Sequence, residues 1–263
     1  MTSNLKAARS VPIALRSNLF CAILIPVFFF FLYLAYYGFR DEGLDDFFMA
    51  ATLSGAYGLK YRVYMLFVNV LYGYMLLPLY ALFPSVSWYN VGEVLCAIMA
   101  LATFVFILLE KFGRRLGALV GIVFCAVFCK QLFLEFNFML FAGILAAAGG
   151  LCLAGGMPDK DKTKRLVWGG FLLFLASLIR YEAFLMSLPF TFVCIAYAFV
   201  FKNAREYVVR NVICLLIIGA VIGSAKGFDS YMYNRNDDLR YYREYNAYRA
   251  SIADYYDYIG VDD

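Results

Sequence analysis

The stretch Phe20–Met49, FCAILIPVFFFFLYLAYYGFRDEGLDDFFM, decides how this chain is read. Its first part, Phe20 to Phe39, is almost purely apolar, and a helix needs about 20 such residues to cross a bilayer core. The run ends abruptly in Arg40, Asp41 and Glu42, with Asp45 and Asp46 close behind. Acids at the mouth of a membrane helix add nothing to packing and cost desolvation if drawn inward. In a helix beginning near Leu44, one Asp is explained as an N-cap at the positive end of the dipole. The others point to a reactive group held at the membrane surface. A carboxylate there can act as a general base on an acceptor hydroxyl, and it can also supply oxygen to a divalent cation.

Composition extends this reading to the whole chain. Of 263 residues, 64% are hydrophobic and 16% charged, against roughly 45–50% and about 25% in globular domains. The expected fold class is therefore an all-α, polytopic transmembrane helical bundle. Its net charge of +4 comes without a basic stripe, so no nucleic-acid partner is expected. The chain has no histidine, which excludes His-ligated metals and Ser-His-Asp triads. Cys21, Cys96, Cys125, Cys129, Cys152, Cys194 and Cys214 all lie in apolar runs and read as small hydrophobes. No small-residue cleavage site follows the first run, so it is expected to stay as an anchor.

Apolar runs fall at 18–39, 62–83, 89–109, 116–130, 134–156, 166–180, 183–201 and 211–228. Between them lie four basic clusters: Lys6/Arg9/Arg16, Lys111/Arg114/Arg115, Lys160/Lys162/Lys164/Arg165 and Lys202/Arg205/Arg210. Basic loops collect on the cytoplasmic side. If every run crosses, the last three clusters fall outside. If 62–83 does not cross, all four fall inside together. We therefore expect seven spans, a cytoplasmic N-terminus in the inner membrane, and a re-entrant or surface-lying helix over 62–83. That run is also wetter than its neighbours, through Tyr61, Tyr64, Asn69, Tyr72, Tyr74 and Tyr80, and Pro78 interrupts it. Two regions result: 1–228, the membrane bundle with its surface helices over 41–83, and 229–263, a polar Tyr-rich extracytoplasmic segment that is expected to meet the 41–46 acids and Arg180 in one cavity at the outer face. The chain stops at Gly260-Val261-Asp262-Asp263 with no closing element, which leaves open that it is the front part of a longer protein.

Beyond the acids, Ser177-Leu178-Ile179-Arg180-Tyr181-Glu182 breaks an otherwise continuous apolar stretch. Residues i and i+2 do not face each other on a helix, so Arg180 and Glu182 pair only if the chain turns there. The topology requires such an outer hairpin. A guanidinium at its tip can grip a phosphate through its fork. Lys60 and Arg62 put basic side chains on the outer side, where they bind lipid phosphate or merely snorkel. Glu135 and Asn137 begin the fourth span beside Lys130, with a Lys130–Glu135 pair the plainer account.

The pattern resembles the GT-C membrane glycosyltransferases. In that superfamily an acidic motif directly follows the first span, and two surface helices come before the next. Asp41, Glu42, Asp45 and Asp46 match the motif in place and type, and a helix near 45–57 with run 62–83 matches the surface helices. Arg180-Tyr181-Glu182 resembles the basic position that contacts the donor's phosphate in some members. Tyr245-Asn246-Ala247-Tyr248-Arg249 followed by Asp254-Tyr255 resembles an outer-face segment of bacterial relatives. The resemblance implies sugar transfer from a polyprenyl-phosphate donor to an envelope acceptor, with Asp41, Asp45 and Asp46 catalytic and Arg180, Glu182, Lys60 and Arg62 substrate-binding. Lipid-linked donor and membrane lipid are the expected partners. No cofactor is required for certain, and a divalent metal is the one candidate. The chain departs from the superfamily in having fewer spans and no soluble outer domain. The competing readings are a non-catalytic membrane subunit or fragment and, further off, a transporter or flippase.

Overall fold

The computed structural model describes residues 2–38, 44–56, 58, 60–134, 137–202 and 204–259, and among them it contains only helices, turns and loops. In chain order the helices are α1 Thr2–Tyr37, α2 Leu44–Ser54, α3 Val70–Leu82, α4 Trp88–Phe112, α5 Arg114–Leu134, α6 Phe138–Gly156, α7 Thr163–Ile179, α8 Tyr181–Phe201, α9 Val208–Asn234 and α10 Asp237–Ile259. Six stretches are long and apolar enough to cross a bilayer: Asn18–Tyr37, Trp88–Phe112, Arg114–Phe133, Phe138–Gly156, Tyr181–Phe201 and Ala204–Asn234. The chain is an all-α helical bundle of a membrane protein.

The seventh expected span is α7. Its 17 residues reach about 26 Å at 1.5 Å per residue, the short limit for crossing. In contrast, α3 has 13 residues and runs unbroken through Pro78. It reaches about 20 Å, well short of a hydrocarbon core of about 30 Å.

Packing is closest where side chains are smallest. A Cβ placed on Gly149 of α6 would stand 2.9 Å from the Gly169 carbonyl oxygen of α7, and one on Gly169 would stand 2.8 Å from the Gly149 carbonyl oxygen. Lipid is as apolar as leucine, so helices in it associate through such backbone approaches rather than through a hydrophobic drive. Ala142, Leu145, Ala146, Leu172 and Ala176 fill the buried seam. The far faces of α8 and α9 leave Phe190, Val193, Leu216 and Ile217 exposed, as a lipid-facing surface would.

Three of the four basic clusters meet at one end of the bundle, near the start of the α1 apolar run. The Arg114 guanidinium lies 3.7 Å from Cys21 Sγ near the start of the α1 apolar run. Arg165 at the start of α7 pairs with Glu110 at the end of α4, 2.7 Å apart. Arg210 at the start of α9 donates to the carbonyls of Asp159, Met157 and Gly156, at 2.7, 2.8 and 3.2 Å. Asn211 joins Met157 to Ala204 through its side-chain amide. At the opposite end lie α2, α3, the α7–α8 junction and the close of α9.

Candidate functional site

The site is assembled around the N-terminus of α3. The loop before it carries Leu66 at φ 59°, the one left-handed residue other than glycine among the described residues. A β-carbon costs about 1–2 kcal/mol in that conformation. The Leu66 N–H is donated to the Tyr233 hydroxyl at 2.9 Å, which holds the turn against α9. Three residues on, Asn69 caps α3. Its side-chain oxygen accepts the Leu71 N–H at 2.9 Å, its amide donates to the Ala225 carbonyl at 3.1 Å, and its backbone N–H donates to Leu178 O at 2.8 Å. One residue therefore ties α3, α7 and α9 together.

Asp229, 1% exposed, supplies the second cap from across the bundle. One of its oxygens accepts the Val70 N–H at 3.0 Å, and the other accepts from Arg243 of α10 at 2.8 Å. Lys226, one turn earlier on α9, brings its ammonium to 3.9 Å of the same carboxylate. It also lies 4.7 Å from the centre of the Tyr181 ring. Arg243 in turn stacks 4.2 Å over the Tyr233 ring.

Between α7 and α8 the chain turns on a single extended residue, Arg180 at φ −150° and ψ 104°. The turn brings the Arg180 Nε to 3.1 Å of Glu182 Oε2. That Nε has no aligned hydrogen-bond acceptor, so the contact is an ion pair by proximity alone. The guanidinium carbon lies 4.8 Å from the Phe67 ring centre and 5.4 Å from that of Phe138. The two rings are within 22° of parallel, and such faces attract a cation.

These groups wall a cavity of about 280 Å³ at the end opposite the basic clusters. Its cations are Arg180, Lys226 and Arg243, and its carboxylates are Glu182 and Asp229. Three positive and two negative groups leave one net positive charge. Asp229 is fully engaged with two cations and a backbone N–H, whereas the Arg180 fork is held by ring faces and one poorly aligned carboxylate. The arrangement can accept an anion at Arg180 without dismantling the α3 cap.

The other predicted residues lie elsewhere. Asp41 and Glu42 fall outside the described residues, as does Glu135. Asp45 is exposed on the first turn of α2. Asp46, its neighbour, is 3% exposed and accepts the Tyr89 hydroxyl at 3.1 Å. The same hydroxyl is 3.8 Å from Met49 Sδ. Of the acids, Arg180 and the 229–263 segment expected in one pocket, Arg180 and Asp229, Arg243 and Asn246 of that segment do line one cavity, whereas Asp45 and Asp46 do not line it. Tyr72 packs edge-on to Tyr89 beneath Asp46. Burial first, then the nearby Cys96 and Glu93, push its hydroxyl well above the ordinary tyrosine range. Lys60 and Arg62 are exposed and do not line the cavity. No group of three or more His, Cys, Asp or Glu side chains able to hold a metal is found among the described residues. All seven cysteines are free.

Comparison with protein-family models, with characterised proteins and with solved structures finds no match for this chain. The site therefore rests on its geometry. Sequence reasoning expected the 229–263 segment here but did not single out Lys226, Asp229 or Arg243. The signal available was an ammonium and a carboxylate three residues apart near the end of an apolar run, where one helical face brings i and i+3 together. Placing a region boundary at 228/229 divided that pair, although α9 continues to Asn234.

Proposed function

We propose that this chain is a membrane glycosyltransferase of the GT-C kind, using a polyprenyl-phosphate sugar donor to modify an envelope acceptor. The observation that carries the proposal is the cavity in which Arg180, Lys226 and Arg243 face Glu182 and Asp229. A single net positive charge beside apolar helices suits one phosphate joined to a lipid, and the planar fork of Arg180 suits its oxygens. The positive-inside rule gives the orientation, with the N-terminus and basic loops in the cytoplasm of an inner membrane and the cavity on the far side. In this reading Glu182 positions Arg180, and the lipid tail of the donor stays in the bilayer. Asp45, the exposed acid of the described part of the patch, is the general base. Lys60 and Arg62 meet headgroups at the rim.

The test is transfer of labelled sugar from a polyprenyl-phosphate donor in membranes carrying the unmodified chain and Arg180→Ala. Activity in the first and its loss in the second is the expected result. Inactivity of both overturns the enzyme reading.

The burial of Asp46 in the Tyr89 pocket favours a second reading, a non-catalytic subunit that binds a lipid phosphate. Arg180-dependent binding of the donor without transfer would select it.

A further inference from the structure

Helix α10 shows two different faces. One is turned to the bundle: Leu239 packs against the core, Arg243 bonds to Asp229, and Asn246 and Ala247 line the cavity. The other carries Tyr241, Tyr245, Tyr248 and Ile252, all more than half exposed at 59, 64, 71 and 56%. Their spacing of four, three and four residues aligns them in one stripe on a helix of 3.6 residues per turn. This places them on the side opposite Arg243 and Asn246. These four large side chains lie exposed on one face, and the Tyr241 ring is met by Arg240 of the same helix, 5.0 Å from its centre.

We infer that this stripe rests in the headgroup layer of the bilayer, so that α10 is an interfacial helix walling one side of the cavity at the membrane surface. α9 belongs to a membrane-crossing stretch that ends at Asn234, and α10 begins at Asp237, so it starts at the level where a span emerges. Other exposed aromatic rings lie at this end of the bundle: Tyr231 on α9, Phe47 and Phe48 on α2, and Tyr36 and Tyr37 at the close of α1. Together they form an aromatic belt of the kind that marks a membrane–water interface.

A seam between two protein helices with this spacing is normally filled by leucine, isoleucine or valine. Here three of the four are tyrosine, whose ring is apolar and whose hydroxyl prefers water, a combination suited to a half-wet layer. Charge does not supply the attraction, because α10 carries five acids, Asp237, Asp238, Glu244, Asp254 and Asp257, against Arg240, Arg243 and Arg249. The contact should therefore form on zwitterionic lipid and need no anionic headgroup. The inference does not depend on the glycosyltransferase reading, because any lipid-borne ligand would meet the cavity at this wall.

The test uses the full chain in phosphatidylcholine nanodiscs, with Tyr245→Trp and Tyr248→Trp made separately as near-isosteric reporters. Emission added by each tryptophan over the parent, which carries Trp88 and Trp168, should be quenched by brominated lipid and shielded from acrylamide. Replacing a third of the lipid by phosphatidylglycerol should not strengthen the contact, because α10 carries more acids than arginines. Quenching by acrylamide without quenching by brominated lipid would place the stripe in water and overturn the inference. Shielding from both would mean that a protein surface, such as a second copy, covers it, and would overturn it equally.

Discussion

The Tyr233 hydroxyl accepts the backbone N–H of Leu66 at 2.9 Å, although the two residues are 167 positions apart in sequence. The bond fixes a left-handed turn in the loop that leads into α3, and both ends of that loop line or support the Arg180 cavity. Losing it leaves a partly buried N–H without its acceptor, which costs less than the roughly 1–3 kcal/mol of a fully buried one. Tyr233→Phe should therefore lower the thermal unfolding temperature in detergent. Leu66→Gly in that background should recover part of the loss, because glycine meets no β-carbon penalty at φ 59°. No recovery would mean that the turn is held by other contacts.

Asp229 separates two roles that one carboxylate performs together. Asp229→Asn retains an oxygen for the Val70 N–H but loses the charge facing Arg243 and Lys226. Asp229→Ala loses both. Removing one partner of a buried ion pair typically costs about 3–5 kcal/mol, and Arg243 and Lys226 are each about a third exposed, so the cost here should lie below that range. Alanine should destabilise more than asparagine in the same melting assay. Equal melting of the two variants would show that the cap on α3 contributes nothing.

The α6–α7 seam should be intolerant of added volume. Gly149→Val or Gly169→Val drives methyl groups into a carbonyl less than 3 Å from the nearest β-carbon position. Overpacking of this kind costs typically 1–3 kcal/mol, and here the backbones themselves must part. Reduced yield and a lower melting temperature are expected for both. The same substitution at Gly143, which has open space around its β-carbon position, should be mild. Comparable damage at Gly143 would remove the close-packing account.

Orientation is tested by labelling. Single reporters at Arg114, Lys162 and Arg205 should all respond from the same side, because Arg165–Glu110 and Arg210–Asp159 contacts bring those loops to one end. A reporter at Glu182 should respond from the other. One basic loop labelling with Glu182 would break both the parity argument and the assignment of α3 as non-spanning.

Much of this architecture was legible in charge and length. The four basic clusters could share a side only if 62–83 did not cross, and α3 proves to be a 13-residue helix. The Arg180 hairpin was legible because an arginine and a glutamate interrupt an apolar stretch, and their pairing depended on a turn that the fold supplies at Arg180. The cavity's far wall was legible as a segment, since 229–263 is expected at the Arg180 pocket and Asp229, Arg243 and Asn246 line it. Which of its side chains would face Arg180 was not legible. Arg243 was one charge among many in a Tyr-rich segment, and no local pattern encodes the return of α10 that carries it there. Asp46 misled for a similar reason. Its hydrogen bond comes from Tyr89 on α4, a partner 43 positions away.

The chemistry is tested by separating Asp45 from Asp46. Asp45 is exposed at the positive end of α2, whereas Asp46 is buried against Tyr89 and Met49. If Asp45 is the general base, Asp45→Asn should slow sugar transfer by about 10²–10⁴-fold while leaving melting within about 0.5 kcal/mol of the parent, as for an ordinary surface change. Asp46→Asn should show the opposite pattern, lowering stability first and activity only in proportion to the folded fraction. Arg180→Lys completes the set, since an ammonium keeps the charge but loses the bidentate fork. It should weaken donor binding even though the chain still folds. Full transfer by Asp45→Asn would reduce that residue to a helix cap, and unweakened binding by Arg180→Lys would show that the cavity reads charge alone.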